Sequence, residues 1–322
     1  MKEIVKHEAS ATDHGGVNRR QTGTPTVCTP PPTQICIEVD QIVFNHDPVS
    51  CSQDAFTIRE DLHEVISLPE YVQGVRNEPA AYEKNKSVTI KVRFTIDRPD
   101  PITLAIKGVS DDSNGVLSDT CERLVSFIGG VSMGGKDNPN TVIDDSEFVE
   151  FTLTGLTPGV IRKSTEAWRW FYIDENGEVE FDRTSGHIVY NLWSEPLLPW
   201  QPNGDSYRNP WVLALDFAIG TAGACNMNDI SALAQITNYL YSGHGMVYNT
   251  AGAGNFQYGF QGTHGKMKLS SYINQSLGIV VNCYDQAGAV FCLGTLLGID
   301  LEYCYMWKFG FINETYIVGV PT

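Results

Sequence analysis

From Gln34 to Trp193 the chain alternates apolar and polar residues in short runs, and this alternation restricts the region to β-structure. ICIEVDQIVF, SVTIKVRFTI (Ser87–Ile96), ITLAIKGV, EFVEFTLTGL, WRWFYID, EVEFD and HIVYNLW follow one another. A period of two puts one set of side chains on each face of a strand. RPDP, DDSNG, LTPG and DENG separate the runs as turn signals. In SVTIKVRFTI the side chains of Val88, Ile90, Val92 and Phe94 share a face, which predicts a central or near-central strand. Trp168, Trp170 and Tyr172 share a face in the same way, with Arg169 and Phe171 opposite, and DENG at Asp174–Gly177 reads as a tight hairpin turn.

Many short strands with regular turns predict an antiparallel β-sandwich of immunoglobulin-like type over residues 34–195. Residues 1–33 have no periodic apolar pattern, and TGTPTVCTPPPT within them favours extended polyproline conformation, so they read as a disordered tail. Residues 196–212, with PLLPWQPNGDSYRNPW, read as a Pro-rich linker. The remainder, 213–322, changes character to few charges and many Gly, Ala, Tyr, Asn and Leu. It predicts three helices near 228–241, 266–277 and 283–297. Asn228 or Asp229 caps the first, and Ile230, Leu233, Thr237, Leu240 and Tyr241 fall at helical spacing along it. Gly243 stops it, a glycine- and aromatic-rich loop follows, and the second helix ends at Gly278.

The net charge of −16, from 38 acidic and 22 basic side chains, repels phosphate backbones. It argues against nucleic-acid binding and against an anionic membrane partner. No apolar run is long enough to span a membrane, so membrane insertion is not expected. The N-terminus MKEIVKHEASATDHGG has no apolar core of a signal peptide. A cytoplasmic protein, or one exported by a signal-peptide-independent route, is the expectation. Eight cysteines occur without a CxxC pair or zinc spacing, so no metal site and no cofactor are expected. Most read as reduced and buried, with Cys28, Cys36 and Cys51 the three that a disulfide would draw on outside a cell. The acidic run DDSNGVLSD lacks the spaced ligands and closing Glu of a helix–loop–helix calcium site.

The chemistry-bearing segment is Leu277–Trp307, LGIVVNCYDQAGAVFCLGTLLGIDLEYCYMW. Cys283 sits where a short extended run, IVV, turns into a helix, with Ala287, Val290, Phe291, Gly294 and Leu297 forming a stripe behind it. Gly298 ends the helix, and IDLEYCYMW reads as the start of a strand. Unpaired N–H groups and the positive end of the helix dipole favour thiolate over thiol in a first turn. The same N–H groups can donate to an oxyanion formed when sulfur attacks a carbonyl. Cys292 and Cys304, mid-helix and mid-strand, are assigned to the core. Asp285, two residues after the cysteine, reads as a first-turn carboxylate favoured by the dipole rather than as an acid–base group.

The string NCYDQAGAVFCLGTLLGI resembles the active-site cysteine helix of the transglutaminase-like (papain-like cysteine hydrolase) superfamily. Cys283, Asp285, Ala287, Ala289, Leu297, Gly298 and Ile299 carry the resemblance, which covers about residues 228–320. It implies an α+β chain in which the β-sandwich precedes a transglutaminase-like domain, with Cys283 as nucleophile on an amide or peptide bond of a protein or peptide substrate. The products would be those of a peptidase, deamidase or acyl transferase. In that family a His and then an Asp or Asn follow on later strands, whereas here no His follows Cys283. Three readings stay open: a domain truncated at its C-terminus, a degenerate non-catalytic copy, or a base supplied from upstream by His264 in GTHGK or His244 in SGHGM. His187 and His46 fall in or at the end of strands, where structural roles suffice, and His7, His14 and His63 have no chemical context. The rival function is a non-enzymatic binding or structural protein that meets a protein partner through the sandwich, and an exported effector is a further variant of it.

Overall fold

The computed structural model describes residues 35–44, 54–60, 64–97, 100–127, 148–201, 209–249, 257–259 and 267–304. The expected tail at 1–33, Cys28, Cys51, His7, His14, His46, His63, His264, most of the glycine- and aromatic-rich loop, and the continuation of the expected strand past Cys304 lie outside them.

The alternating runs form two five-stranded sheets. One has the order β3 (Arg76–Asn77), β2 (Tyr71–Val72), β1 (Ile37–Val43), β5 (Ser87–Ile96), β8 (Val149–Leu156). The other has β4 (Ala80–Glu83), β10 (Gly177–Leu192), β9 (Arg162–Asp174), β6 (Ile102–Ser110), β7 (Thr120–Phe127). SVTIKVRFTI is β5, between β1 and β8, with Val88, Ile90, Val92, Phe94 and Ile96 buried. Trp168, Trp170 and Tyr172 point inward from β9, while Arg169 on the other face pairs with Asp111 at 2.6 Å. Inward residues of both sheets share one core, centred on Phe94, which meets Phe127, Phe151, Trp170 and Phe181 edge-on at 5.6–6.5 Å. Such pairs add about 0.5–1.5 kcal/mol each beyond their area burial. Asp174 and Gly177 close the β9–β10 hairpin around two residues, with the Asn176 N–H on Asp174.

Not every pairing is antiparallel. β4 runs parallel to β10, Val189 opposite Ala80 through Leu192 opposite Glu83. The chain crosses from β3 in one sheet to β4 in the other within two residues, and Tyr82 anchors the crossing by donating from its hydroxyl to the Phe44 carbonyl at 2.7 Å. The acidic run DDSNGVLSD serves its own turn: Asp112 accepts the Asn114 N–H, and Asp119 accepts the Thr120 N–H and the Thr154 hydroxyl.

The C-terminal part is helical with one short sheet. It contains α1 (Val212–Leu215), which continues as a π-helical turn over Asp216–Thr221, and α2 (Asp229–Asn238), which continues as another over Tyr239–Gly243. β11 (Val247–Tyr248), α3 (Leu269–Ile273), β12 (Val280–Val281) and α4 (Cys283–Leu296) follow. The Asn228 side chain caps α2 by accepting the Ser231 N–H at 2.9 Å. α2 turns inward only part of the stripe its sequence marks: Leu240 is buried and Leu233 packs on the core, joined by Ala232 and Ile236, whereas Ile230 and Tyr241 are 77% and 86% exposed. Ala232, Ile236 and Leu240, at i, i+4 and i+8, make the buried face, and Leu233 meets α4 at Gly294.

α4 is buried along most of its length, from Asp285 through Gly288, Ala289 and Cys292–Leu296, with Ala287 exposed rather than in the expected buried stripe. Its N–H-donating end points outward and its C-terminal half is locked to the sheets. The Trp193 N–H donates to the Leu297 carbonyl, the Ser194 hydroxyl to the Gly298 carbonyl, and the Trp200 indole to the Cys292 carbonyl at 2.7 Å. Gly298 has φ +75°, and a Cβ there would run into the Ser194 backbone, so both conformation and contact require glycine. The Pro-rich stretch is thus docked where it is described. One core joins Ala81, Ile161, Tyr190 and Leu192 of the sheets to Leu215, Ile236, Leu293 and Leu296 of the helices. Leu301–Cys304 is irregular rather than strand, and Cys304 is exposed rather than in the core. Among the described residues no helix is long and apolar enough to cross a membrane.

Candidate functional site

The site is built at the exposed end of α4. Asn282, with φ −122° and ψ −175°, is its N-cap, and its side-chain oxygen accepts the N–H groups of Tyr284 (3.0 Å) and Asp285 (3.1 Å). Asp285 completes a capping box by accepting the Asn282 N–H at 3.2 Å. This arrangement places Cys283 at the first helical position, with its side chain exposed.

Asp285 does more than cap. It is fully buried, and its two oxygens also accept the N–H groups of Gln257 (3.3 Å), Tyr258 (2.9 Å) and Gly259 (3.1 Å). Four backbone donors on one carboxylate tie the segment at 257–259 to the head of α4. They leave Asp285 a positioning group, in keeping with the expected first-turn carboxylate.

The partner of Cys283 is a residue that sequence reasoning missed. β11 and β12 pair in parallel, Val247 opposite Val280 and Tyr248 opposite Val281. The Val247 N–H donates to the Ile279 carbonyl and the Asn249 N–H to the Val281 carbonyl, both at 2.8 Å. Tyr248 thereby lies across from the residue two before Cys283. Its phenol lies close enough to Cys283 to interact with both the side chain and the backbone N–H of that residue. Interaction with the Cys283 side chain, then the charge on its sulfur, push the phenol above its ordinary pKa, and the Cys283 backbone N–H acts in the opposite direction. Nothing in HGMVYN marks this pairing in advance, because two-residue parallel strands have no sequence signature.

The N–H groups that the sequence offered to an oxyanion are thus engaged: Tyr284 and Asp285 donate to Asn282, and Cys283 to Tyr248. Around Tyr248 the side chains of Val247, Leu277, Ile279 and Val280 are 42–52% exposed and form an apolar shelf. Tyr303 closes the other side, its phenol raised first by burial and then by the Cys283, Asp285 and Cys292 charges, and its ring lies 5.8 Å from that of Phe291.

Of the two candidate bases, His264 lies outside the described residues. His244 is buried, with Nε2 at 3.1 Å from the Tyr272 carbonyl and its ring enclosed by Phe217, Tyr239 and Tyr272. That makes it a core histidine joining α2 to α3. Cys292 and Cys121 are buried, and burial pushes both thiols up to about 12, which disfavours the thiolate of each. Among the described residues no cluster of three or more His, Cys, Asp or Glu is arranged to hold a metal ion. No known family model matches the chain, and no curated protein matches it in sequence.

Proposed function

We propose that this protein is a transglutaminase-like thiol enzyme acting on amide or peptide bonds through Cys283. The observation that carries the reading is the exposed sulfur at the first position of a capped, buried helix, held by a phenol that also engages the Cys283 N–H. In this reading the two-sheet unit is an immunoglobulin-like docking module, and the helical part is the catalytic domain. Sulfur attacks the carbonyl carbon, an S–C bond forms, and the carbonyl electrons move to oxygen. Tyr248 yields the Cys283 N–H to that oxygen and donates its own O–H. The tetrahedral intermediate collapses with C–N cleavage, and the amine leaves with the proton that sulfur gave up. His264 is the proposed carrier of that proton, since the Nε2 of His244 is engaged with Tyr272. Water or a second amine then resolves the thioester. The apolar shelf at Val247, Ile279 and Val280 receives an apolar side chain flanking the reacting bond.

The test is release of amine or ammonia from a peptide library by the full chain, with trapping of the thioester by mass spectrometry. The reading requires turnover that disappears in Cys283→Ala and is lost in His264→Ala while the thiol still alkylates. Absence of any thioester on Cys283 across the library would overturn it. The occupied first-turn N–H groups and the enclosure of His244 favour a second reading, a protein-binding module whose cysteine helix is a scaffold. Tight partner capture undiminished by Cys283→Ala, without turnover, is its signature.

A further inference from the structure

We propose that Tyr258 is the positioning residue that holds the apolar shelf against Cys283, and so decides whether the site accepts an apolar group beside the reacting atom. The inference rests on the proposed reading of the shelf as the seat of an apolar side chain flanking the reacting bond. Its basis is the way β12 is held. Every backbone carbonyl from Leu277 to Val281 accepts a hydrogen bond, and the donors come from two sources. β11 supplies the Val247 N–H to Ile279 and the Asn249 N–H to Val281. Residues 257 and 258 supply the others. The Tyr258 hydroxyl donates to Gly278, and the Gln257 amide nitrogen donates to Leu277 (2.8 Å) and Val280 (3.2 Å). That orientation of the Gln257 amide is the one that satisfies the groups around it.

Tyr258 links this strand to the helix that carries the sulfur. It is fully buried, and its polar groups are engaged in three directions. Its N–H donates to Asp285 at 2.9 Å, within the capping box that places Cys283. Its carbonyl accepts the Lys268 N–H at 2.8 Å, at the start of α3, and its hydroxyl reaches the Gly278 carbonyl. Its ring stands edge-on to Tyr272 at 5.3 Å, and the Tyr272 hydroxyl donates to Gln286 of α4 at 2.8 Å.

One rigid side chain therefore runs from the Asp285 carboxylate to the turn that carries Leu277 and Ile279. Removing its hydroxyl leaves the Gly278 carbonyl without this donor, and the turn must shift or admit water to satisfy it. Tyr248 and Val247 belong to β11, on the other source of donors. Loosening β12 at Tyr258 thus leaves the contact between Tyr248 and Cys283 in place and alters the shelf alone.

The experiment follows alkylation of Cys283 in the full chain, mapped by peptide mass, with two reagents that share a warhead: iodoacetamide and N-benzyl iodoacetamide. Glutathione gives their intrinsic rate ratio. The proposal expects the benzyl reagent to be favoured at Cys283 severalfold over that ratio. Tyr258→Phe, which keeps the ring on Tyr272, should return the ratio to that of glutathione while the iodoacetamide rate stays unchanged. Gln257→Ala, at an exposed position, should move the ratio the same way by less, and decides the matter if the Tyr258→Phe chain does not fold. A wild-type ratio equal to that of glutathione overturns the proposal. So does a ratio unmoved in the folded variant, or a fall in both rates together, which is loss of structure at the head of α4 rather than of positioning. Alkylation needs no turnover, so the two readings fail separately. A peptide library that yields no thioester sinks the enzyme and leaves the ratio standing, whereas turnover with an unmoved ratio does the reverse.

Discussion

The two-sheet unit and the head of α4 differ in what fixes their geometry. In the sheets, large aromatic side chains meet with few polar partners: Trp168 and Trp170 are fully buried and stacked 5.9 Å apart, and Phe94 contacts four rings. At the head of α4 the buried Val281, Tyr258 and Tyr272 pack beneath a set of backbone N–H groups that converge on Asn282 and Asp285 and fix the geometry. The first region resists change through volume and the second through directed polar contacts. A packed aromatic core gives a module that tolerates surface variation, whereas a carboxylate saturated by four N–H groups holds one side chain, Cys283, at a fixed place at the surface.

Substitutions in each region should break this comparison differently. Trp170→Ala should cost about 3–5 kcal/mol through the cavity it leaves, read as a loss of global stability in urea, with the local exchange rates at 257–259 following the global value. Next in size is a pH effect in the sheets. His187 is buried on β10 against Phe44 and Tyr71, and burial pushes its pKa down to about 4. The folded chain therefore holds His187 neutral where the unfolded chain, near 6.5, is protonated. Its contribution is complete above pH 6.5 and is lost as pH falls from 6.5 towards 4, a change on the order of 3 kcal/mol. Glu166, whose carboxyl is raised by burial, contributes with the opposite sign, so the difference between wild type and His187→Gln melts at pH 4.5 and 7 isolates the histidine. A stability difference between the two proteins that does not change with pH would remove His187 from this role.

At the head of α4 the expected effects are smaller and more local. Asp285→Asn should cost about 1.5–3 kcal/mol, the worth of hydrogen bonds to a charged group. Amide exchange at Gln257–Gly259 and Asn282 should accelerate more than exchange in β5 or β9. Asn282→Ala removes the cap alone and should cost about 0.5–2 kcal/mol, with Tyr284 and Asp285 amides exchanging first. Uniform acceleration across both regions would mean that they are not stabilised separately.

The same contrast explains what could be read from the sequence. β5 and β9 were legible because burial of one face forces strict alternation, and Asn228 and Gly298 were legible because a cap and a left-handed terminus select residue types. α1 was not, since VLALDFAIGT is apolar on every side and a helix with no polar face has no period to detect. The inward face of α2 was legible only in part: Leu240 and Leu233 pack on the core as their spacing predicts, whereas Ile230 and Tyr241 are exposed and Ala232 and Ile236 are buried in their place. At the site, Cys283 and Asp285 could be placed in the first turn of α4 because the extended run IVV gives way there to helical spacing. Tyr248 could not, because it reaches the sulfur through a two-residue parallel pairing. Cys304 was assigned to a core strand on local apolarity, yet the chain there follows α4 in irregular conformation and leaves it exposed.

The central claim is that Cys283 is an accessible sulfur whose reactivity is set by Tyr248. Iodoacetamide labelling of the native protein, sampled over time and mapped by peptide mass, tests it most directly. The account predicts that Cys283 is modified well before Cys292 and Cys121, and that Tyr248→Phe changes the Cys283 rate while leaving Cys304, exposed but without this phenol, unaltered. Modification of Cys292 in step with Cys283, or a Cys283 rate indifferent to Tyr248→Phe, would contradict it.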